Sequence, residues 1–543
     1  MHAPSLATLL LFAAALSTLP LRDRSAHLVA AADQQVPSSP MAPWDPVERL
    51  GHVTVGGQRL VDALSPLLST YTFTLPETAL KAGIAVTGAS ARLRRVVQRA
   101  MEGRGRQLKV GFIGGSITWG DAASKHGETD WVSLVSAWLP KAFPGINVTT
   151  RNGAIPGTPS AYMVMCMENS VDEDVDLLFM EYLLNDGFKD TISHNPRTAT
   201  YERLVRRAML MKRQPAVVMV QVLSHGQALE PGTVGLVGGG DEYRPYYVTL
   251  EDVYSGIAHY YDLQALSFRA ATYRLAKFKH APGFAYPDLM EAYEMKLHPA
   301  DGGHKVIADL VVGLIQSTAQ DLLLRPWGPA DEEASSEQLP PPMRVGNEVP
   351  GSPMCFTGER LQALVASGGA PTGQAGGFAW ANDSTEKKPK WGFIATSPGA
   401  MLKVVLDTLR PGNEGSVLVG LAYLKSYEHM GRVEVACVSG CKCAPAMIDA
   451  RHEIKHSQTY QAMQEVSQSE RCVISVTVDA ESSSGEHKFK RVSGEYKFKL
   501  NGVTTSDVAA PERLAHTNTG GWHVDMFESR PGYRPQNTST AHV

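Results

Sequence analysis

The most constraining feature of this 543-residue chain is a rhythm that begins at Leu108, where short apolar runs alternate with longer segments of helical period. Leu108–Ile113, Ile146–Thr150, Asp176–Tyr182, Ala216–Val222 and His259–Asp262 read as strands. Trp131–Leu139, Tyr201–Met211 and Phe268–Phe278 read as the helices between them. Strand and helix in steady succession predict an α/β unit with a parallel sheet covered on both faces. The unit closes with a helix over Gly303–Leu324, where Val306, Ile307, Leu310, Val311, Leu314 and Ile315 recur at helical spacing and Asp301 is placed to cap it. An amphipathic helix is also expected over Ser90–Met101, with Ser90 as its N-cap.

The rhythm breaks at residues 326–354, where Pro340-Pro341-Pro342 and Gly351-Ser352-Pro353 mark a linker. Beyond it, Lys390–Thr396, Met401–Thr408, Ser416–Tyr423, Arg432–Val438, Cys472–Val478 and His487–Val492 alternate as strands do, without a long helical pattern. They predict an antiparallel β-sandwich over 355–510. The α/β unit is assigned to 105–325, after an N-terminal extension at 33–104. Residues 511–543 are polar and rich in Gly, Pro and Thr, and are expected to be a disordered tail.

Leu6–Leu16 is apolar and is followed by Ala30-Ala31-Ala32, which reads as a signal peptide over 1–32 and predicts secretion. The sequons Asn147-Val148-Thr149, Asn382-Asp383-Ser384 and Asn537-Thr538-Ser539 are compatible with export. So are the cysteines: Cys437, Cys441, Cys443 and Cys472 cluster and predict one or two disulfides, their connectivity open, while Cys166 and Cys355 stand apart. Cys-x3-Cys-x-Cys is not a common zinc spacing and holds no histidine, so no metal is expected. With 51 basic and 55 acidic residues the net charge is −4, which argues against electrostatic capture of nucleic acid or anionic membrane. No tract reads as a membrane span, and no cofactor is expected.

Four segments carry chemistry. The first strand runs into Gly114-Gly115-Ser116-Ile117-Thr118-Trp119-Gly120, a tight turn at the carboxyl edge where open α/β sheets place ligands. After the second strand comes Asn152-Gly153-Ala154-Ile155-Pro156-Gly157, and after the third Glu181-Tyr182-Leu183-Leu184-Asn185-Asp186. The last, His298-Pro299-Ala300-Asp301, stands just ahead of the closing helix.

This order and content resemble the SGNH/GDSL hydrolase family, whose four blocks contribute Ser, Gly, Asn and His; the resemblance covers roughly residues 106–325. It implies a three-layer α/β/α sandwich with a five-stranded parallel sheet, flavodoxin-like, to which the β-sandwich is appended. It also implies Ser116 as nucleophile and His298 as general base. The oxyanion hole would comprise the N–H groups of Ser116 and Gly157 and the side chain of Asn185. These roles suit the chemistry. A serine hydroxyl needs an imidazole to take its proton, and the tetrahedral intermediate needs donors for its new charge.

Three positions depart from the family pattern: Gly115 where aspartate is usual, Leu183 where glycine is usual, and Met295 where the triad aspartate is usual, three residues before the histidine. Glu294, Glu291 or Asp288 could supply the missing carboxylate, or a backbone carbonyl could orient a Ser–His dyad; His304 is a weaker alternative base. The resemblance predicts a carboxylic ester hydrolase working through an acyl-enzyme on Ser116. The appended β unit points to acylated carbohydrate, with de-O-acetylation of a glycan or cell-wall polymer the most economical activity. Trp380, Trp391 and Tyr427 are candidate sugar-stacking residues. Met295 motivates an alternative, a glycan-binding protein that retains the scaffold without turnover; an acyltransferase using the same serine is a third reading.

Overall fold

The computed structural model describes residues 54–55, 58–59, 64–103, 107–186, 196–222, 249–291, 298–366, 374–386, 389–410, 412, 415–451, 457–480 and 496–507. The expected leader, the tail, the sequon at Asn537, the strand His487–Val492 and residues Glu294 and Met295 lie outside the described residues.

The α/β layer is a six-stranded sheet built from β1 (Ile84–Val86), β2 (Gln107–Gly114), β3 (Asn147–Asn152), β4 (Leu177–Glu181), β5 (Ala216–Gln221) and β6 (Gln264–Ser267), in the order β1-β6-β5-β4-β2-β3. All pairings are parallel except β1 with β6, which is antiparallel. The sheet is therefore mixed and six-stranded, not five-stranded and parallel. The added edge strand comes from residues before 105, where a three-residue run is too short to show a period. The strand expected at His259–Asp262 is also corrected: His259 and Tyr260 end the helix Leu250–Tyr260, Asp262 adopts φ 54°, and pairing starts at Gln264.

Every residue of β4 and β5 is buried, as continuous apolar strands covered on both faces require. One face packs against α1 (Ala91–Glu102), α2 (Ser116–Trp119), α3 (Trp131–Ala142) and the long closing helix Asp301–Leu324. The other packs against α4 (Ser160–Ser170), the single turn α5 (Leu183–Asp186), α6 (Pro196–Met209) and α7 (Leu250–Tyr260). The closing helix is long and apolar enough to cross a membrane by length and composition, yet most of it is buried in this core. Asp301 does not cap it. Ala300 occupies the N-cap, and the Asp301 carboxylate instead accepts from Ser124 N–H at 2.8 Å and Thr129 Oγ1 at 2.9 Å. Ser90 does stand at the N-cap of α1, but its side chain makes no capping bond.

The segment read as a linker is packed onto this body. A helix over Pro329–Ser336 presents Asp331 to Arg94 at 2.7 Å, and Glu202 accepts from Asn347 Nδ2 at 2.7 Å. The C-terminal unit consists of a seven-stranded and a four-stranded antiparallel sheet enclosing one apolar core. A helix at Gly358–Ala366, unanticipated from sequence, closes that core with Leu361 and Val365. Cys437–Cys443 and Cys441–Cys472 staple this unit, and Cys166–Cys355 ties it to α4.

Candidate active site

Strand β2 ends at Gly114, and the chain turns through Gly115 into α2, whose first residue is Ser116. Gly115 is dictated by its neighbour: a Cβ there would lie 2.0 Å from Asn185 Oδ1 and 2.6 Å from Asn185 Nδ2. In this structure the Asn185 amide occupies the space that a side chain at position 115 would enter.

The second segment is laced to the first. Gly153 N–H donates to Phe112 O at 2.8 Å, Ile155 N–H to Gly114 O at 3.0 Å, and Asn152 Nδ2 to Thr118 O at 2.9 Å. Pro156 and Gly157 then form the centre of a turn closed by Thr158 N–H on Ile155 O at 3.3 Å. Gly157 has φ +76°, the left-handed conformation such a turn demands. Among the described residues, neither the Ser116 N–H nor the Gly157 N–H is committed to another acceptor.

Asn185 is delivered by α5, one helical turn at the end of β4, and is almost fully buried with Oδ1 lacking a protein partner. The next residue, Asp186, braces it by accepting from Ser160 N–H at 2.8 Å and Tyr254 Oη–H at 2.7 Å. Beneath the turn lies Glu181, wholly buried, its Oε2 accepting from Thr118 Oγ1 at 3.2 Å. Burial, first of all, pushes its carboxyl up to about 8, with the charge of Asp186 adding to the rise.

His298 completes the cluster. Its Nε2 stands 2.8 Å from Ser116 Oγ, and its Nδ1 stands 2.8 Å from Glu291 Oε1. A proton on Nδ1, held by the carboxylate, leaves Nε2 free to accept the serine proton. Of the three candidate acids, Glu291 makes this contact. Asp288 is exposed and caps its own short helix, accepting from Ala285 N–H at 3.1 Å; Glu294 lies outside the described residues. His304 is not a rival base. It is fully buried, takes the Trp131 N–H on Nδ1 at 3.4 Å and faces Asp121 O with Nε2 at 3.2 Å; burial lowers its pKa.

The sequence reading passed over Glu181, Asp186 and Asp121, whose Oδ2 lies 4.0 Å from His298 Nε2. Asp186, directly after Asn185, was open to notice; the side-chain directions of the others depend on the folded turn. As arranged, the cluster can pass a proton from a serine hydroxyl to a carboxylate-oriented imidazole, with the Asn185 amide lying against the same turn.

No known protein-family model matches the chain, and no curated protein matches it in sequence. Among solved structures it is similar to a two-domain esterase active on acetylated mannans, with a TM-score of 0.53 and 21% identity over 79% of this chain and 98% of that one. The same values hold for that esterase co-crystallised with mannopentaose. An acetyl xylan esterase from Geobacillus stearothermophilus matches with a TM-score of 0.28 and 19% identity, over 39% of this chain and 95% of that one. The chain therefore shares the two-domain fold of that esterase.

Proposed function

We propose that this protein is a serine esterase of the SGNH type that removes O-acetyl groups from a glycan or cell-wall polymer through an acyl-enzyme on Ser116. The observation that carries the reading is the continuous relay from Ser116 Oγ to His298 Nε2 and from His298 Nδ1 to Glu291, each step 2.8 Å. In this reading Ser116 Oγ attacks the ester carbonyl as its proton passes to His298 Nε2. Glu291 holds the tautomer and steadies the imidazolium. The new oxyanion takes the Ser116 and Gly157 N–H groups and the Asn185 amide, and collapse expels the sugar alkoxide, which recovers the proton from His298. Water, deprotonated by the same imidazole, then releases acetate.

The choice of an acetylated polysaccharide draws on the appended β unit and on the activity of the similar two-domain esterase toward acetylated mannans. In that unit Trp391, half exposed, stacks near-parallel on Trp380 with ring centroids 6.3 Å apart, while Trp380 sits edge-on to the core residue Phe393. The outer ring is of the kind that packs on sugar faces. We read the protein as exported, on the leader-like start of its sequence and its three disulfides.

The test is hydrolysis of p-nitrophenyl acetate and of an acetylated mannan by wild type, Ser116→Ala and His298→Ala, with fluorophosphonate labelling of Ser116. Turnover lost in both variants supports the reading. A folded wild type that neither turns over nor labels refutes it.

A further inference from the structure

Glu181 is a carboxylic acid with no access to water, placed under the turn that carries Ser116. Its residue pairs with Gly114 across β2 and β4, so its side chain meets the start of α2. Oε2 receives the Thr118 hydroxyl at 3.2 Å, and the N–H groups of Gly115 and Thr118 also face the carboxyl. Oε1 is buried without a partner. The titratable groups around it are Asp186 and Tyr182 from its own strand end and Tyr201 from α6. None of the charged groups with the largest effect on it is a cation. Complete burial beside Asp186 favours the neutral acid and outweighs the donors, which favour the carboxylate.

We propose that Glu181 is a positioning residue of the esterase site that works as a neutral acid, holding the Ser116 turn through Thr118, and that its ionisation at alkaline pH shuts the site down. The inference rests on the serine-esterase reading. Glu181 pairs with Gly114, two residues before Ser116, and accepts from Thr118, two residues after it, so an anion at Glu181 lies beneath the turn that carries the nucleophile. Two negative charges in a water-free site repel strongly, and the oxyanion exists only in the transition state, so the loss falls on rate. The raised titration point, about 8, places the change just above neutrality.

The experiment follows the rate at which fluorophosphonate modifies Ser116, read by mass spectrometry from about pH 6 to about pH 10, in wild type and Glu181→Gln. Glutamine keeps the shape and cannot ionise. The wild-type rate should fall about tenfold per pH unit above about pH 8, whereas the variant, scaled to its own neutral rate, should show no such fall. A variant with the same alkaline fall overturns the inference, as does a folded wild type with a flat profile to about pH 10. Thr118→Val keeps the test decisive if Glu181→Gln does not fold. The Thr118 hydroxyl favours the ionised form, so removing it should move the fall to higher pH, and an unmoved fall overturns the inference. Absence of Ser116 labelling at every pH is a separate result, which removes the serine-esterase reading itself.

Discussion

Glu291 Oε1 lies 2.8 Å from His298 Nδ1 and also accepts the His298 backbone N–H at 3.0 Å, while the Glu291 N–H donates to the His298 carbonyl at 2.9 Å. The acid and the base are thus opposite one another in a small antiparallel pairing, continued by the Met290–Pro299 bridge. A carboxylate seven residues before the histidine meets the imidazole because Glu291 and His298 pair backbone to backbone. His298 thus has a carboxylate on Nδ1 although methionine stands three residues before it in the sequence.

Glu291→Gln should therefore lower kcat by about 1,000- to 10,000-fold with a smaller effect on KM, since an amide no longer fixes the tautomer or balances the imidazolium. Asp288→Asn, on an exposed cap, should stay within a few-fold of wild type. Steady-state kinetics on p-nitrophenyl acetate separates the two.

Asn185→Ala should cost about 100- to 1,000-fold in kcat, the usual consequence of removing one oxyanion donor. Binding of an uncleaved acetylated oligosaccharide, measured by calorimetry, should change little by comparison.

Gly115→Ala should lose at least about 100-fold in kcat while retaining the circular dichroism of the native fold. Its Cβ would fall 2.0 Å from Asn185 Oδ1, so the amide must leave the site, removing an oxyanion donor. Native-level activity in this variant would show that Asn185 does not act from where it lies.

Glu181→Gln should melt higher than wild type, increasingly so as pH rises. The folded protein holds the Glu181 proton up to about 8, whereas the unfolded chain releases it near the ordinary 4.5. Between those values the folded state binds more protons, so wild-type stability declines with rising pH across that window and the variant escapes the decline. Thermal melts at about pH 5, 7 and 9 measure the divergence.

Removing the Cys166–Cys355 bridge by paired alanines should destabilise the protein by about 2–5 kcal/mol, because the bridge closes a very long loop in the unfolded chain. The sandwich should separate more readily from α4, visible as faster proteolysis at the junction.

Much of this protein is written locally. The apolar runs at 108–113, 176–182 and 216–222 identify buried parallel strands, because a strand covered on both faces is mostly apolar rather than alternating. Ser116, Gly157, Asn185 and His298 stand out in sequence because each belongs to a short block next to a turn, at a strand end or just before a helix. Tertiary structure decided the rest. The edge strand Ile84–Val86 is too short to carry a period and exists because β6 offers it a partner. Which carboxylate meets His298 depended on the backbone pairing of Glu291 with His298, and sequence spacing alone leaves 288, 291 and 294 equivalent. That a side chain at position 115 would run into Asn185, a residue 70 positions later, is likewise visible only in the folded chain. Local pattern specifies which residues stand at the ends of which elements. Long-range packing alone determines which of their side chains meet, because a hydrogen bond or a clash is set by distances of a few ångströms between segments far apart in the chain.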